Sequence, residues 1–429
     1  MLISRAQSAL IGAAARDLGP DLLVIGLGYV GLPLAAEATQ AGLSVIGYDL
    51  SPGVVEGLNA GQSHIPDVSS ADIAAMQQRG FRATLDERSV GAPKTIVICV
   101  PTPLAVDGGP DLAAVTTAAK LAGRLVRPGS LVVLESTTYP GTTDEVVRPI
   151  LEKHSDLSAG LDFFLAFSPE RIDPGNRNFG LRNTPKVVGG LTTSCTDAAA
   201  SFYAQLCDRV VRAASTREAE MAKLLENTYR QVNIALVNEM AIFCHELGID
   251  LWDAIRCAAT KPFGFQPFFP GPGVGGHCIP IDPNYLSYKV RTLGYPFRFV
   301  DLAQEINAGM PNYILQRAIA LLVRHGKSWI DARVLLLGVT YKKDSSDVRE
   351  SPAVPLVRAI RASGARAYYC DPHVATWVVD GEPVPTSIAE TADIVILLQA
   401  HSAYDLVEIQ RTAKTLLDTR GVTTAGESL

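Results

Sequence analysis

The sequence has no uninterrupted apolar run long enough to cross a bilayer and no excess of basic residues. Its 429 residues include 38 Lys and Arg against 44 Asp and Glu, which gives a net charge of −6. A membrane-spanning protein is therefore not expected. A nucleic-acid partner is not expected either, so any recognition of phosphate must come from local sites.

Cysteine is scarce as well, and the seven that occur are scattered without a Cys-x-x-Cys pair. This spacing argues against a disulfide framework and against structural zinc, so no metal site is predicted. It fits a reducing compartment, and a cytoplasmic location is the expectation. Cys99, Cys244 and Cys257 lie in apolar or helical patterns and are predicted to be buried structural thiols. Only Cys278 has glycines around it.

The first twenty residues contain Arg5 and a weak Ala-rich apolar stretch that superficially resembles a secretory leader. A strand pattern begins at Leu22 with almost no spacer after that stretch. Residues 1–20 are therefore predicted to form a helical or frayed extension rather than a leader.

What the sequence does contain is an alternation of short apolar runs with helical stretches. Strand patterns occur at residues 22–26, 44–48, 95–100, 131–135, 163–167 and 186–189, and the alternation restarts near residue 330. Residues 216–247 have helical spacing without proline. Such alternation predicts mostly parallel, doubly wound sheets.

The fold class predicted from this pattern is α/β, with two Rossmann-like doubly wound domains joined by a long central helical domain. A chain of this length exceeds one ordinary core. The predicted boundaries are an N-terminal extension at 1–20, a dinucleotide-binding domain at 21–212, a central helical domain at 213–328 and a C-terminal Rossmann-like domain at 329–429.

A Gly-x-Gly-x-x-Gly fingerprint follows the first strand pattern and opens a helix. It comprises Gly26, Gly28 and Gly31, with Tyr29 and Val30 between the last two. Glycines at these positions permit a tight turn and let a pyrophosphate approach the N–H groups of the helix N-terminus.

Asp49 ends the next strand pattern, about 20 residues further on, where a carboxylate accepts hydrogen bonds from a ribose diol. A carboxylate there would repel a 2′-phosphate, so NAD is predicted as the cofactor rather than NADP. The alternative interpretation is a turn followed by a solvated aspartate.

Hydroxyl-bearing and acidic residues follow further strands of the first domain, at the edge that lines the cofactor crevice in such sheets. Pro101 and Thr102 follow one strand, and Thr137 follows the next. Helix capping and ligand contact are both open for these hydroxyls. Glu170 and Arg171 also come directly after a strand, and a surface salt bridge between them is the alternative to a place in the crevice.

Four polar residues share one face of the long predicted helix: Glu220, Lys223, Asn227 and Arg230. A solvated face is one interpretation of this set. The other is a polar stripe over a site, in which Lys223 supplies positive charge to a developing oxyanion.

Residues 270–283 contain four glycines and four prolines, together with Cys278 and Asp282. Such a segment cannot form the interior of a helix or strand, so a fixed irregular loop is predicted. Its glycines, Gly275 among them, would let a ligand approach the backbone. A nearby cation would favour the thiolate of Cys278, whereas a buried structural cysteine is the alternative.

The last domain has a dense group of charges after its first strand, including Lys342, Lys343 and Arg349. Lysine and arginine there could meet the diphosphate of a second nucleotide. A surface ion-pair network is the alternative.

Together these segments resemble the UDP-glucose/GDP-mannose 6-dehydrogenase family, across residues 22 to about 420. The order of parts is the same: the fingerprint, Ser-Thr after a strand, Ser-Pro-Glu, Lys-x-x-x-Asn on a helix, Gly-Gly-x-Cys-x-x-x-Asp, then Tyr-Lys-Lys-Asp with Arg-Glu-Ser. Residues 169–176, 226–230 and 275–280 look like the UDP-N-acetylhexosamine 6-dehydrogenase branch.

The resemblance implies oxidation of a sugar C6 alcohol to a carboxylate by two NAD⁺, a four-electron reaction. Lys223 and Asn227 would stabilise charge on oxygen as the first hydride leaves. A water held by Thr137 and Asp282 would assist them. The first hydride transfer would leave an aldehyde. Covalent capture of this aldehyde by the enzyme would explain why it need not be released.

In the second half of the implied reaction, Cys278 would attack the aldehyde to give a thiohemiacetal. A second hydride transfer would yield a thioester. Water, assisted by Glu170, would hydrolyse it.

By the same resemblance, further residues are expected to bind ligands and the long helix to form a homodimer. The expected cofactor contacts are Gly26, Gly28, Tyr29, Val30, Gly31, Asp49, Pro101, Thr102, Thr137 and Arg349. The expected contacts of a UDP-sugar substrate are Glu170, Arg171, Lys223, Asn227, Phe268, Phe269, Gly275, Lys342 and Lys343.

Two other classes of protein compete with this interpretation. A two-electron hydroxyacid dehydrogenase of the 6-phosphogluconate type needs no cysteine nucleophile and leaves the third domain unexplained. A non-catalytic NAD-binding regulator predicts loss of Cys278 and Lys223, and both are present. Within the family, UDP-GlcNAc is the first choice of substrate, followed by UDP-ManNAc and UDP-GalNAc, then UDP-glucose.

Overall fold

The computed structural model describes residues 19–105, 109–173, 176, 178–276, 279–424 and 426–429. Most of the predicted N-terminal extension lies outside the described residues, as do Cys278 and its neighbour His277. The chain divides into two compact units, one up to Leu225 and one from Glu226. Each unit is described by itself below.

The first unit is built on an eight-stranded sheet in the order β3-β2-β1-β4-β5-β6-β7-β8. Its elements in chain order are β1 (Leu22–Ile25), α1 (Gly31–Gln40), β2 (Val45–Tyr48), α2 (Pro52–Asn59), α3 (Ser70–Gln78), β3 (Arg82–Thr84), β4 (Thr95–Ile98), α4 (Ala113–Leu125), β5 (Leu131–Leu134), α5 (Arg148–Ser155), β6 (Phe164–Phe167), β7 (Lys186–Gly190), α6 (Thr193–Tyr203), β8 (Val210–Arg212) and the start of α7 (Thr216–Glu246).

Both faces of this sheet are buried, which explains why its central strands are continuous apolar runs rather than alternating ones. On β1, Leu22 and Val24 pack into a core with α1 and α6. Leu23 and Ile25 point to the other face, against α4 and α5. The result is the doubly wound arrangement that the sequence predicts.

Parallel pairing brings the carboxyl ends of the strands to one edge. β1 is parallel to β2 and β4, and β5 is parallel to β4 and β6. Only the pairing of β6 with β7 is antiparallel among the described pairs of this sheet. The loops after β1, β2, β4, β5 and β6 therefore start along the same edge of the sheet.

The second unit combines helices with a five-stranded parallel sheet in the order β10-β9-β13-β14-β15. It contains most of α7, followed by α8 (Leu251–Ala259), α9 (Asp282–Thr292), α10 (Arg298–Arg324), β9 (Arg333–Leu337), α11 (Ala353–Ala362), β10 (Arg366–Cys370), β11 (Val378–Val379), β12 (Glu382–Pro383), β13 (Ile394–Leu397), α12 (Leu406–Thr412), β14 (Leu416–Asp418) and β15 (Glu427–Ser428).

One core of this unit joins the helices to the sheet. Ala241 of α7, Ile314 of α10 and Val334 of β9 belong to it, and all are fully buried. The opposite face of the sheet, with Leu335 and Leu337, packs on a smaller cluster. Two sheets covered by helices and a long helical span confirm the predicted fold class.

The prediction that Cys257 is a buried thiol is wrong, whereas Cys99 and Cys244 are buried. Cys257 lies on α8, whose buried residues are Leu251, Trp252 and Ile255. Two residues beyond Ile255, a side chain points to the opposite side of a helix, so Cys257 is exposed. None of the helices in the described part of the chain combines the length and apolar character that a bilayer span requires.

Candidate active site

The glycine turn after β1 is held so tightly that two of its positions accept only glycine. Gly26 has φ of 94°, and a Cβ there would lie 2.7 Å from the carbonyl oxygen of Cys99. A Cβ on Gly31 would lie 1.9 Å from the carbonyl oxygen of Gly26. A Cβ on Gly28 would meet nothing within 4 Å. The turn thus keeps open space above Gly28, where a pyrophosphate can approach the backbone.

The N-terminus of α1 faces this turn without a capping bond from the Val30 side chain. The N–H groups of a first helical turn attract anions when nothing else satisfies them. Tyr29 is 42% exposed beside them. The turn therefore fits the diphosphate of a dinucleotide.

Asp49 connects the end of β2 to the glycine turn. Its Oδ2 accepts a hydrogen bond from the Leu27 N–H at 2.8 Å, and its Oδ1 accepts one from the Ser51 N–H at 2.9 Å. The solvated aspartate that the sequence left open as an alternative does not describe this residue. The carboxylate is fixed in place at the edge where a ribose is expected.

The glycine turn leads to a pair of matched substitutions. Gly31→Ala is expected to lower the stability of the apoprotein by about 3 kcal/mol, because its Cβ overlaps the Gly26 carbonyl. Gly28→Ala is expected to leave the melting temperature unchanged and to weaken NAD binding at least about tenfold. Differential scanning fluorimetry and NAD titration measure the two effects. Unchanged NAD affinity in Gly28→Ala would mean that the cofactor does not approach this turn.

The loops after β4 and β5 are bonded to each other. Thr102 is buried, and its Oγ1 donates to the carbonyl oxygen of Thr137 at 2.8 Å. Ser136 Oγ donates to the carbonyl oxygen of Val100 at 2.7 Å. Pro101 is exposed at the same edge. Both predicted hydroxyl segments therefore meet at the carboxyl edge, and the Thr102 hydroxyl holds a loop rather than capping a helix.

Glu170 lies in the loop after β6. Its Oε1 accepts hydrogen bonds from the N–H groups of Arg171 at 2.7 Å and of Ile172 at 2.5 Å. Arg171 donates from Nη1 to the carbonyl oxygen of Pro185 at 2.7 Å. The carboxylate is thus fixed by backbone donors in a turn at the edge of the sheet.

Three of the four polar residues on the predicted helix face are buried. Glu220, Lys223 and Asn227 are 0%, 8% and 7% exposed, whereas Arg230 is exposed. A wholly solvated face is therefore the wrong interpretation for this stretch of α7. Buried polar groups need partners, and Glu220 has three. It accepts hydrogen bonds from the Gly141 N–H at 2.5 Å, the Thr143 N–H at 2.9 Å and the Thr143 hydroxyl at 2.7 Å.

A pH dependence of stability follows from Glu220. Burial raises the pKa of Glu220 from 4.5 to about 7, although the bonds from Thr143 and Gly141 act to lower it. The folded state therefore binds this proton more tightly, and its stability falls as pH rises from about 4.5 to about 7. The loss is at most about 3 kcal/mol and is complete above that window.

Glu220→Gln removes this titration and is the matched variant. The difference in unfolding free energy, wild type minus variant, should decrease between pH 5 and pH 7 and then stay level. Urea unfolding followed by circular dichroism at several pH values measures it. Parallel stability curves for the two proteins would contradict the assignment.

In the second unit, two predicted site residues far apart in sequence are in contact. Asn227 Nδ2 donates to Oδ2 of Asp282 at 2.5 Å, and both side chains are buried. Asp282 is the first residue of α9, and Pro283 follows it in the first turn, where proline is tolerated. Asp282 thereby lies where the glycine-rich segment with Cys278 ends.

The glycine-rich segment packs closely on the turn that carries the lysines. A Cβ on Gly275 would lie 2.6 Å from Cβ of Tyr341 and 2.7 Å from the carbonyl oxygen of Glu350. A Cβ on Gly276 would lie 2.7 Å from the Tyr341 ring. The Gly276 N–H donates to the carbonyl oxygen of Arg349 at 3.1 Å. The predicted irregular loop is confirmed for its described residues. Gly275 and Gly276 must be glycine because a larger side chain would overlap Tyr341 or Glu350.

The two phenylalanines before this segment differ in setting. Phe268 packs against the core of the second unit, and its ring lies 5.6 Å from that of Tyr229 in an edge-to-face contact. Phe269 is 48% exposed. Only Phe269 therefore offers a large exposed apolar surface to a ligand.

A buried histidine, His401, supports the turn that carries Lys342 and Lys343. His401 Nδ1 accepts the Asp344 N–H at 2.9 Å, and its Nε2 lies 3.1 Å from Oδ2 of Asp371. Arg349 forms a bidentate pair with Asp347, at 2.9 and 2.6 Å. The ion pair that the alternative interpretation expected is thus present, and on the same turn Lys343 is exposed and Lys342 partly buried.

Asp344, His373 and His401 place ligand atoms within 4.8 Å of one another, the spacing of a metal site. Both ring nitrogens of His401 are already engaged by Asp344 and Asp371. The Asp344 carboxylate accepts hydrogen bonds from the Ser402 N–H and hydroxyl, each at 2.7 Å. His401 and Asp344 are therefore hydrogen-bonded supports of the lysine turn.

Arg420 is a residue that the sequence reasoning missed. Its Nε donates to the carbonyl oxygen of Leu398 at 2.6 Å, and a Cβ on Gly271 would lie 2.8 Å from its Nη1. Burial lowers the pKa of Arg420 to about 10. A cation thus lies against the glycine-rich segment. The available signal was an arginine two residues after the Leu416–Asp418 strand, at the carboxyl edge where loops line a crevice.

The glycine turn, the fixed Asp49 and the doubly wound sheet define a dinucleotide-dependent dehydrogenase. Residues 21–207 match the NAD binding domain of the UDP-glucose/GDP-mannose dehydrogenase family, 217–309 its central domain and 335–425 its UDP binding domain. The chain belongs to this family. It is an NAD-dependent oxidoreductase that acts on nucleotide sugars, and NAD is its cofactor.

Known relatives match the chain over nearly its whole length. A UDP-N-acetyl-D-glucosamine 6-dehydrogenase from Pseudomonas aeruginosa is 35% identical over 89% of this chain and 90% of its own. An NDP-N-acetyl-D-galactosaminuronic acid dehydrogenase from Ralstonia solanacearum is 33% identical over 94% and 96%. The structure of UDP-D-ManNAc dehydrogenase from Pyrococcus horikoshii has a TM-score of 0.85 at 31% identity, covering 95% of this chain and 96% of that one.

Proposed function

We propose that this protein oxidises a UDP-N-acetylhexosamine at C6 to the uronic acid, with UDP-GlcNAc as the first candidate substrate. The names of its relatives support an N-acetylhexosamine, since they specify GlcNAc, ManNAc and GalNAc derivatives. UDP-GlcNAc is placed first among the candidate substrates because a relative that is 35% identical is a UDP-N-acetyl-D-glucosamine 6-dehydrogenase. The UDP binding domain at residues 335–425 supports a UDP-sugar.

NAD supplies the chemistry of a two-electron hydride acceptor, and two NAD⁺ per sugar balance the reaction. The residues proposed to bind it are those of the carboxyl edge. The glycine turn and the N-terminus of α1 would hold the diphosphate, Asp49 the ribose, and Pro101, Thr102 and Thr137 the adjoining part. Arg349 is proposed as a further contact.

The observation that carries the proposed mechanism is the buried pair of Asn227 and Asp282, 2.5 Å apart. Lys223 lies one helical turn before Asn227 on the same face of α7. An ammonium and an amide N–H group in a buried setting stabilise negative charge on an alcohol oxygen as hydride leaves. Asp282 and Thr137 are proposed to hold a water that helps to stabilise this charge and passes the alcohol proton to the Asp282 carboxylate.

The second half of the proposed reaction belongs to Cys278 and Glu170. The thiolate of Cys278 adds to the aldehyde carbon, and the carbonyl oxygen takes a proton, giving a thiohemiacetal. Loss of a second hydride to NAD⁺ and of the hydroxyl proton to water gives a thioester. Water then attacks the thioester carbonyl, Glu170 takes its proton, and the thiolate leaves.

The UDP part is assigned to the second unit. Lys342 and Lys343 are proposed to meet the diphosphate, because a lysine turn supported by His401 gives fixed positive charge. Gly275, which packs on the lysine turn, is proposed as a further contact of the ligand, with Phe269 beside the ligand and Phe268 behind it. Glu170 and Arg171 would contact the sugar. The proposed domains keep the boundaries predicted from the sequence. Residues 21–212 would bind NAD, residues 213–328 would form the central helical domain, and residues 329–429 would bind the UDP part.

A homodimer through α7 is also proposed. Apolar residues at 36% to 59% exposure lie on one face of this helix. They are Met221, Leu225, Tyr229, Leu236 and Phe243. A row of this kind on a 31-residue helix is suited to a second copy of the same helix. Sedimentation velocity of wild type and Phe243→Glu tests it, and a monomeric wild type would refute it.

The test of function is a complete conversion of UDP-GlcNAc with excess NAD⁺. Two NADH per sugar are expected, with a product heavier by one oxygen and lighter by two hydrogens. One NADH with an aldehyde product would refute the four-electron reaction. No NADH would move the substrate to UDP-ManNAc, UDP-GalNAc or UDP-glucose, which are run in the same assay.

A further inference from the structure

A buried cluster of charged side chains lies beside Glu170 in the first unit. Lys186, the first residue of β7, has a side chain 3% exposed, and its Nζ lies 3.0 Å from Oε1 of Glu135 and 3.5 Å from Oε2 of Glu170. The side chain of Glu135 is fully buried, and that of Glu170 is 13% exposed. Burial of ion pairs is a poor source of stability, because desolvation offsets their attraction. The cluster therefore invites a functional explanation.

Three consecutive residues around the start of β7 hold the turn that carries Glu170. All three contacts end on main-chain oxygens, so they fix the path of the backbone on both sides. They join Ser168 Oγ to the Val187 carbonyl at 2.8 Å, Lys186 Nζ to the Pro169 carbonyl at 3.3 Å, and Arg171 Nη1 to the Pro185 carbonyl at 2.7 Å.

The two oxygens of Glu170 have separate partners. Oε1 accepts two backbone N–H groups, from Arg171 and Ile172. Oε2 faces the ammonium of Lys186. One oxygen is thus fixed by its own turn, and the orientation of the other depends on Lys186 of the next strand.

Lys186 is itself held in place. Glu135 Oε1 pairs with its ammonium and also accepts a hydrogen bond from the Tyr203 hydroxyl, while Nζ lies 5.2 Å from the centre of the Tyr203 ring. Cys99 Sγ lies 3.9 Å from Oε2 of Glu135. Burial acts to lower the pKa of Lys186, but Glu135 and Glu170 outweigh it and raise the pKa, so the ammonium stays charged.

We propose that Lys186, oriented by Glu135 and Tyr203, is a positioning residue for Glu170. Its buried ammonium, 3.5 Å from Oε2, holds the Glu170 carboxylate in the orientation that the hydrolysis step needs, and it does not touch the sugar. This inference rests on the proposed function, since it assigns a support to the group that takes the proton of the attacking water. The first half of the reaction does not need Glu170 and so does not need Lys186.

Rapid mixing of Lys186→Met with UDP-GlcNAc and NAD⁺ tests the proposal. Misplacing a catalytic group costs up to about 100-fold in rate, so hydrolysis is expected to slow by that order. Both hydride transfers precede hydrolysis, so NADH should appear in a burst of up to two per active site at a near-normal rate. A slow steady state should follow, and mass spectrometry of the intact chain should show a covalent sugar adduct.

The controls separate positioning from folding. Lys94→Met breaks a surface ion pair with Asp21 in the same unit and should leave both phases unchanged. Lys186→Arg keeps the charge and should recover part of the steady-state rate. Equal losses in the burst and in the steady state of Lys186→Met would mean a merely structural role. Unchanged kinetics would also overturn the proposal.

Glu170→Gln distinguishes failure of this inference from failure of the proposed function. If Glu170→Gln accumulates the adduct and Lys186→Met does not, the positioning role is refuted while the function stands. If the wild type yields two NADH with none of the four UDP-sugars, the function itself is refuted. Should Lys186→Met not fold, Tyr203→Phe takes its place. A several-fold slower hydrolysis with a normal burst supports the proposal, and wild-type kinetics contradict it.

Discussion

Cys278→Ser is expected to lower the steady-state rate of acid formation by about 1,000-fold or more, which is the order seen when a catalytic nucleophile is removed. A serine hydroxyl is not ionised near neutral pH, so it cannot capture the aldehyde as a thiolate does. The melting temperature and the affinity for NAD should stay at their wild-type values. Steady-state NADH production and product analysis measure the effect.

The matched control is Cys257→Ser. Cys257 is an exposed thiol of α8, so its loss should leave turnover unchanged. Cys278→Ser with full steady-state activity would exclude the thioester route. A variant that had lost both activity and its normal melting temperature would show that Cys278 supports the fold instead.

Lys223→Met is the second large effect, with kcat reduced about 100- to 1,000-fold. Methionine keeps most of the apolar stem of the buried lysine and removes the charge that would stabilise the alkoxide. The hydride transfer itself should therefore slow, and no NADH burst should precede the steady state. KM for the UDP-sugar should change much less than kcat, because the charge develops in the transition state.

Lys153→Met, which alters an exposed lysine of α5, serves as the comparison. It removes the same charge from the same unit and should not change kcat. If Lys223→Met instead raised KM with kcat preserved, Lys223 would be a binding group, and the oxyanion role would be wrong.

The sequence predicted best those features that depend on neighbouring residues. The glycine turn and Asp49 could be recognised because they bracket one strand–helix–strand unit. The long helix was predicted at residues 216–247 and runs from Thr216 to Glu246, because helical spacing without proline is a strong local signal. The three-residue strand Arg82–Thr84 was missed, since it is too short to show a period.

Contacts between distant segments could not be predicted in the same way. The bond from Asn227 to Asp282 joins residues 55 positions apart. The ion pair of Lys186 with Glu135 joins the start of β7 to the end of β5, with β6 between them in the sheet. Burial also needs the tertiary structure, as Cys257 shows. In the sequence, nothing distinguishes Arg420 from other charged residues. Only the folded structure places its guanidinium against Gly271.

The bonds of Asp49 have a consequence for redesigning cofactor preference. Removing this carboxylate would admit a 2′-phosphate but would also leave the Leu27 and Ser51 N–H groups without their acceptor. A switch towards NADP therefore requires a new acceptor for both amides along with a cation for the phosphate. Single exchanges at position 49 should lose affinity for one coenzyme without gaining it for the other.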